Sequence, residues 1–314
     1  MFFDYATALI ILLCGTRIYV YCDDEVNWKI DSHPQKQHGL IVLSNHRTRV
    51  DWMYVGWSYA YFLSNTSHMK IVLKHAIKNV PFFGWGCQLI SFIFLTRERH
   101  KDIPHIQKSL RCTLEYEKSP SLLIFPEGTD LSETNVIKSN KFIHDLNQKR
   151  AELKAANGNE ACGAAREVWD MVDILPRKYV LYPKTSGTIC AINEFKRFYQ
   201  KKGRKNVVEP KYNGDSGNSG GVIIHDVTVA YRDHTPGKRT SDTGLLLGEF
   251  PTEIHLHIQR RVLPLQHDND PTSQSMSREG VDASSTGGQV DDAGALEQVL
   301  QCTLFIIAVH IACL

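Results

Sequence analysis

Two kinds of apolar run alternate along the first half of the chain. Short continuous runs at Gly39–Ser44 (GLIVLS), Ser91–Thr96 (SFIFLT) and Ser121–Phe125 (SLLIF) each give way at once to turn or charged residues. That is the pattern of buried strands feeding turns. Between them lie segments with helical spacing: Asp51–Leu63 is rich in aromatics, and within Pro104–Lys118 the residues Ile106, Leu110 and Leu114 share one stripe. Strands alternating with helices predict an α/β domain, a mostly parallel sheet with flanking helices, and such sheets bind ligands at the carboxyl ends of their strands. Farther on, Tyr179–Pro183 and Val222–Tyr231 read as strands, and Glu253–Gln259 alternates with period two. The stretch 201–221, rich in Gly, Asn and Ser, reads as an exposed loop, and no internal repeat is visible.

Both ends carry apolar sequence. Phe2–Val20 contains the apolar core Ala6–Cys14 but also Asp4 and Arg17, which leaves too little to span ~30 Å of hydrocarbon. It is expected to be an interfacial or re-entrant membrane helix. A cleaved signal peptide is the alternative, weakened by an acidic start and the lack of a small-residue cleavage site. Val299–Leu314 is mostly apolar yet short of the ~20 residues of a comfortable span; a tail anchor and a gene-model artefact both remain open there. Residues 267–295 hold Ser, Thr, Gly, Asp and Gln with almost no aromatics, a composition expected to be disordered.

With 314 residues, 42% of them hydrophobic, the chain can bury a sizeable core. Lys and Arg number 36 against 34 Asp and Glu, so bulk charge gives no argument for a nucleic-acid partner. The eight cysteines are scattered without C-x-x-C or paired Cys/His spacing, which argues against zinc and against a disulfide framework. The basic run Lys196–Lys205 reads as a solvated helix face, with a membrane or coenzyme-phosphate contact as its alternative.

Candidate chemistry gathers where the strands end. In SNHRTRVDW, His46 follows a strand and Asp51 opens the next helix, so the intervening loop can fold the carboxylate back onto the imidazole. Such a pair serves as a general base, the aspartate fixing the tautomer and stabilising the imidazolium. A helix-capping aspartate beside a structural histidine is the alternative, and among 14 histidines a chance pair at this spacing is expected. Arg97, at the end of SFIFLT, is placed to grip a phosphate with its planar fork, with a surface arginine as the plain reading. Lys74 is a further candidate in the same group. Phe125-Pro126-Glu127-Gly128-Thr129 puts a carboxylate, a glycine free to take positive φ and a hydroxyl on one tight turn. Glu127, Gly128 and Thr129 are therefore candidates for holding a polar head group, against an ordinary strand-to-loop turn. Lys184, in Tyr182-Pro183-Lys184-Thr185, is a weaker cationic candidate. Phe82, Phe83 and Trp85 read as core or as the border of an apolar channel, and Asn65-Thr66-Ser67 matches a glycosylation acceptor.

Taken in order, Asn45-His46-x4-Asp51, Pro81 with Gly84-Trp85 and the strand to Arg97, Phe125-Pro126-Glu127-Gly128-Thr129, and Leu181-Tyr182-Pro183-Lys184 resemble the four blocks of the glycerolipid acyltransferase family. SNHRTRVDWM, LLIFPEGTDLSE and HDVTVAY followed by GEFPTEIHLHI are most similar to the lysocardiolipin acyltransferase branch of its 1-acyl-glycerol-3-phosphate acyltransferases. The resemblance covers about Tyr5 to Gln266 and implies an organisation. An apolar membrane-associated segment at 1–22 precedes an acyltransferase domain at 23–266 with insertions near 152–173 and 205–221. A disordered tail at 267–298 and an apolar segment at 299–314 follow.

The resemblance also implies a mechanism. His46 would be the general base, removing the proton from a lysophospholipid hydroxyl as it attacks the thioester of acyl-CoA, and Asp51 its orienting partner. Arg97, Glu127, Gly128 and Thr129, with Lys74 and Lys184, would hold the glycerol-phosphate end. Acyl-CoA is then a co-substrate, with no bound cofactor and no metal. Lysocardiolipin, lysophosphatidylinositol, lysophosphatidylglycerol and lysophosphatidic acid are the expected acceptors. The expected setting is a membrane, that of the endoplasmic reticulum. Two other classes stay open: a lipid hydrolase using the same His/Asp pair, for which no G-x-S-x-G elbow is visible, and a non-catalytic lipid-binding protein on the same fold.

Overall fold

A computed structural model describes residues 15–23, 39–63, 69–117, 120–157, 175–177, 179–205, 221–232 and 250–264, together with Ala8 and Leu12. In chain order the elements are β1 (Arg17–Cys22), β2 (Gly39–Ser44), α1 (Asp51–Leu63), β3 (Met69–Lys74), α2 (Phe83–Leu89), β4 (Ile93–Leu95), α3 (Arg99–Tyr116), β5 (Ser121–Ile124), α4 (Glu133–Asn157), α5 (Thr185–Lys205), β6 (Gly221–Tyr231) and β7 (Glu253–Pro264). A one-turn 3₁₀ helix, His75–Asn79, links β3 toward α2.

The strands form one seven-stranded sheet in the order β1-β7-β6-β2-β5-β3-β4. β2 through β6 run parallel, β7 is antiparallel to β6, and β1 is parallel to β7. This is the mostly parallel α/β architecture that the alternating pattern predicts. β2, at the centre, is buried at every position because helices cover both of its faces. Its side chains alternate accordingly. Ile41 and Leu43 pack with Leu110 and Leu114 of α3 and Ile192 and Phe195 of α5, whereas Leu40 and Val42 pack with Tyr54, Val55 and Tyr59 of α1. The chain re-enters the sheet at its centre and folds outward on either side. The carboxyl ends of β2, β4 and β5 therefore lie on one edge.

Several boundaries differ from the pattern-based reading. The helix expected at Pro104–Lys118 starts at Arg99, with Pro104 inside it; the proline's fixed φ suits a helix, and its missing N–H costs one bond near the start. Tyr179–Pro183 is not a strand. Its backbone donors go elsewhere: Leu181 N to Glu127 Oε2 at 2.7 Å, Tyr182 N to Ser139 Oγ at 3.0 Å and Lys184 N to the Pro126 carbonyl at 2.7 Å. These amides are not available to a ladder. Arg17–Cys22, at the end of the segment expected at 1–22, joins the sheet as β1, paired with β7.

No helix of the described residues is long and apolar enough to cross a membrane. The expected interfacial helix at Phe2–Cys14 lies outside the described residues apart from Ala8 and Leu12. So do Asn65-Thr66-Ser67, most of the expected insertions at 152–173 and 205–221, and everything from 265 onward.

Candidate active site at the carboxyl edge of the sheet

His46 and Asp51 meet as their spacing suggests. β2 ends at Ser44, the chain turns, and α1 begins at Asp51, whose carboxylate folds back over the loop. His46 Nδ1 lies 2.9 Å from Asp51 Oδ2. The same carboxylate accepts from the amides of Arg47 at 2.6 Å and Thr48 at 2.9 Å, from Thr48 Oγ1 at 2.7 Å, and from the phenol of Tyr231. Asp51 is fully buried. A buried carboxylate costs several kcal/mol unless its lone pairs are satisfied, and these donors satisfy them. They also leave it no freedom to turn away from the imidazole. Asp51 also lies in the first turn of α1, the helix-dipole position of the alternative reading, and holds the histidine from there.

The imidazole stacks on Phe125, ring centroids 4.5 Å apart. Burial pulls the His46 pKa down, but the hydrogen bond and charge of Asp51, with the charges of Glu127 and Asp130, outweigh it and leave the pKa above its ordinary value. With Nδ1 directed at Asp51, Nε2 is the nitrogen available to take a proton.

The Phe125–Thr129 turn sits against this pair. Glu127 is buried, and both of its oxygens are committed to backbone amides: Oε1 accepts from His46 N at 2.8 Å and Oε2 from Leu181 N at 2.7 Å. Burial raises its pKa to about 7, against the lowering effect of those two bonds and of His46. Glu127 is therefore a brace between the end of β2 and the 181–184 segment, where the sequence reading expects a head-group contact. Leu131 N donates to the His46 carbonyl at 2.8 Å, a second stitch across the same gap. Gly128 takes φ +69°, a conformation that suits glycine, and is exposed. The Thr129 hydroxyl is engaged locally, accepting from Asn135 Nδ2 at 3.1 Å and donating to Asp130 Oδ1 at 3.3 Å.

Two cations converge on Gly128. Arg97 Nη2 donates to the Gly128 carbonyl at 2.8 Å, and the Lys184 chain lies over the glycine, its Nζ 3.9 Å from where a Cβ would stand. Burial, and then the charge of Arg97, lowers the Lys184 pKa. Among the described residues neither is paired with a carboxylate. Arg97 itself takes φ +71°, held there by buried Asp102, which accepts from Thr96 N at 2.8 Å and Arg97 N at 2.7 Å. An exposed pair of adjacent cations beside the His46–Asp51 pair has the charge to hold an anion such as a phosphate. Lys74 stands exposed at the end of β3 on the same edge, without a hydrogen bond or ion pair to this group.

Sequence reasoning missed Tyr231 and Arg47. β6 runs in register with β2 from Gly39↔Val222 to Ser44↔Val227 and then continues, which carries Tyr231 past the end of β2 into the loop. Asn45 fixes that overlap, exchanging hydrogen bonds with Val229 N at 2.7 Å and Val229 O at 3.0 Å. The signal was present in the unusual length of VIIHDVTVAY relative to GLIVLS. Arg47 is buried beside the pair, its pKa lowered by burial against the charges of Asp51, Tyr231 and Glu127. Among the described residues no group of three or more His, Cys, Asp or Glu is arranged to hold a metal ion.

Residues 25–149 match the acyltransferase family model. The chain is 32% identical over 234 residues to lysocardiolipin acyltransferase 1 of Mus musculus, covering 74% of this chain and 48% of that protein. It is 28% identical over 256 residues to lysophosphatidylinositol acyltransferase 10 of Caenorhabditis elegans (80% and 50%). With the probable 1-acyl-sn-glycerol-3-phosphate acyltransferase 5 of Arabidopsis thaliana the identity is 27% over 221 residues (70% and 45%). The chain spans about half the length of the curated relatives it matches. Lys184 and Tyr231 lie outside residues 25–149, Lys184 over Gly128 and Tyr231 on Asp51.

Proposed function

Residues 25–149 are an acyltransferase-family domain, and on that footing we propose that the chain is an acyl-CoA-dependent lysophospholipid acyltransferase. The observation that carries the reading is the His46–Asp51 pair, 2.9 Å apart and facing the Arg97–Lys184 cations across the Phe125–Thr129 turn. In this reading His46 Nε2 takes the proton of the acceptor's free hydroxyl as its oxygen attacks the thioester carbonyl carbon. Asp51 stabilises the imidazolium. The carbon–sulfur bond then breaks, the imidazolium returns its proton to the departing sulfur, and the products are the acylated phospholipid and free coenzyme A. Arg97 and Lys184 hold the acceptor's phosphate, with Lys74 farther along the same edge. Glu127 and Leu131 keep the two halves of the site in register. The relatives' names supply the acceptor classes: a lysocardiolipin, a lysophosphatidylinositol or a 1-acyl-glycerol-3-phosphate. Lysophosphatidylglycerol completes the set, and a membrane, that of the endoplasmic reticulum, is the proposed setting.

The test is a radiolabelled acyl-CoA assay on membranes expressing the chain, run across lysocardiolipin, lysophosphatidylglycerol, lysophosphatidylinositol and lysophosphatidic acid. Label should enter phospholipid with at least one acceptor and disappear in His46→Ala at equal protein level. No transfer to any of the four, or equal transfer by His46→Ala, overturns the proposal.

A further inference from the structure

The segment between β3 and β4 is built unlike the rest of the surface. Val80, Phe82, Trp85 and Leu89 are 44%, 83%, 56% and 86% exposed, an apolar group around one short helix. Phe82 and Trp85 lean together, ring centroids 5.5 Å apart. Isolated exposed apolar residues are ordinary; a cluster of large ones marks an interaction surface. The backbone is committed to this presentation. Phe82 takes φ +60°, a conformation rare for an aromatic residue, so the chain enters α2 with Phe82 outward and Phe83 inward. Gly84 lets α2 sit tightly on the preceding turn, since a Cβ there would stand 2.3 Å from the Ile77 carbonyl oxygen.

The charges on this stretch of chain have one sign. Residues 52–97 contain neither Asp nor Glu but do contain Lys70, Lys74, Lys78 and Arg97. Lys70 is buried and paired with Glu117 at 2.6 Å. Lys74 and Lys78, flanking the 3₁₀ turn His75–Asn79 that leads into the patch, have no carboxylate partner among the described residues. Exposed Phe, Trp and Leu beside lysines, on a stretch of chain that carries no acid of its own, complement a surface apolar at depth and anionic at its face. The patch also adjoins the candidate active site: Phe83 packs on Trp52, the residue after Asp51, with ring centroids 5.6 Å apart.

We infer that the Val80–Leu89 segment is a membrane-docking surface, placing Phe82, Trp85 and Leu89 among the lipid acyl chains and Lys74 and Lys78 at anionic head groups. The docking follows from exposure and charge, whatever the acceptor. That it brings the mouth of the site to a membrane-resident substrate rests on the acyltransferase reading.

Trp85 reports on it directly. The full chain is mixed with phosphatidylcholine–phosphatidylglycerol vesicles whose acyl chains carry bromine, and quenching in wild type is compared with Trp85→Phe. Wild type should lose more fluorescence than Trp85→Phe, and Phe82→Ser/Leu89→Ser, with an unchanged circular dichroism spectrum, should lose that extra quenching. Quenching equal in wild type and Trp85→Phe while the chain is vesicle-bound overturns the inference, because another segment then holds the membrane. Shielding of Trp85 from aqueous acrylamide before vesicles are added overturns it too, since another part of this chain or a second copy then covers the patch. The quenching needs no turnover, so it fails or succeeds independently of acyl transfer.

Discussion

The phenol of Tyr231 donates a hydrogen bond to Asp51 Oδ1 across 180 positions of sequence. Its pKa lies well above the ordinary value, first because it is buried and then because Asp51 faces it, so it remains a donor throughout the working pH range. By withdrawing negative charge from Asp51 it tempers that carboxylate's hold on the His46 imidazolium. Tyr231→Phe removes the donor and leaves the Arg47 and Thr48 amides in place. A hydrogen bond to a charged group contributes about 1.5 kcal/mol or more to stability, so the variant should melt at lower temperature. A purely structural loss would not move the titration. Here the acid limb of kcat/KM should shift to higher pH, because an Asp51 with one donor fewer holds the imidazolium harder. An acid limb that matches wild type would detach Tyr231 from the reaction.

The His46–Asp51 pair makes a pH prediction whose direction follows from its surroundings. A general base must be neutral, and Asp51, Glu127 and Asp130 lift the His46 pKa above its ordinary value despite burial. Activity should therefore rise with pH through a limb above about 6.5. In Asp51→Asn the largest raising influences vanish while burial stays, so the limb should move to lower pH. The plateau should fall by about 10² or more as the tautomer is lost. His46→Ala should lose transfer by at least as much at every pH. The same shift stabilises the fold below the ordinary histidine value, a contribution that fades as pH rises through the raised one. An Asp51→Asn limb that stays in place would show that the aspartate does not set the histidine's titration.

How much of this was legible in the sequence follows from how local each interaction is. The His46–Asp51 contact is made within one loop, and the Phe125–Thr129 turn within one pentapeptide, so spacing and residue type sufficed. Glu127 was visible as a site residue, but not as a brace, because the amides it binds belong to His46 and Leu181. The same long-range bonds withdrew Tyr179–Pro183 from strand structure. Arg97 was visible at the end of β4, whereas its left-handed backbone depends on Asp102, inside a helix whose start the Pro104 signal obscured. Membership of Arg17–Cys22 in the sheet depends on β7, and no local pattern announces a partner so distant.

Glu127 distinguishes a brace from a substrate contact. In Glu127→Gln one oxygen becomes an NH2 group that must face a backbone N–H, either that of His46 or that of Leu181. One buried donor loses its acceptor, at a cost of about 1–3 kcal/mol. The variant should melt at lower temperature and lose kcat, while the KM for the lysolipid stays near wild type. A Glu127→Gln protein with normal thermal stability and a raised acceptor KM would restore the head-group role expected from sequence.

Arg97 and Lys184 act on one anion if the proposed phosphate site is right, and their substitutions should then be coupled. Arg97→Lys keeps the charge but gives up the planar fork and the bond to the Gly128 carbonyl, so the acceptor KM should rise about tenfold while the acyl-CoA KM holds. Lys184→Gln should raise the same constant. Burial and then the charge of Arg97 lower the Lys184 pKa, so Arg97→Gln should let that pKa rise part of the way toward its ordinary value, and both cations would share one anion. The two losses should therefore not add: a double-mutant cycle on acceptor KM should show a coupling of about 0.5–3 kcal/mol, the range for residues sharing one partner. Strict additivity, or single variants whose acceptor KM matches wild type, would mean that the two cations do not grip the same phosphate.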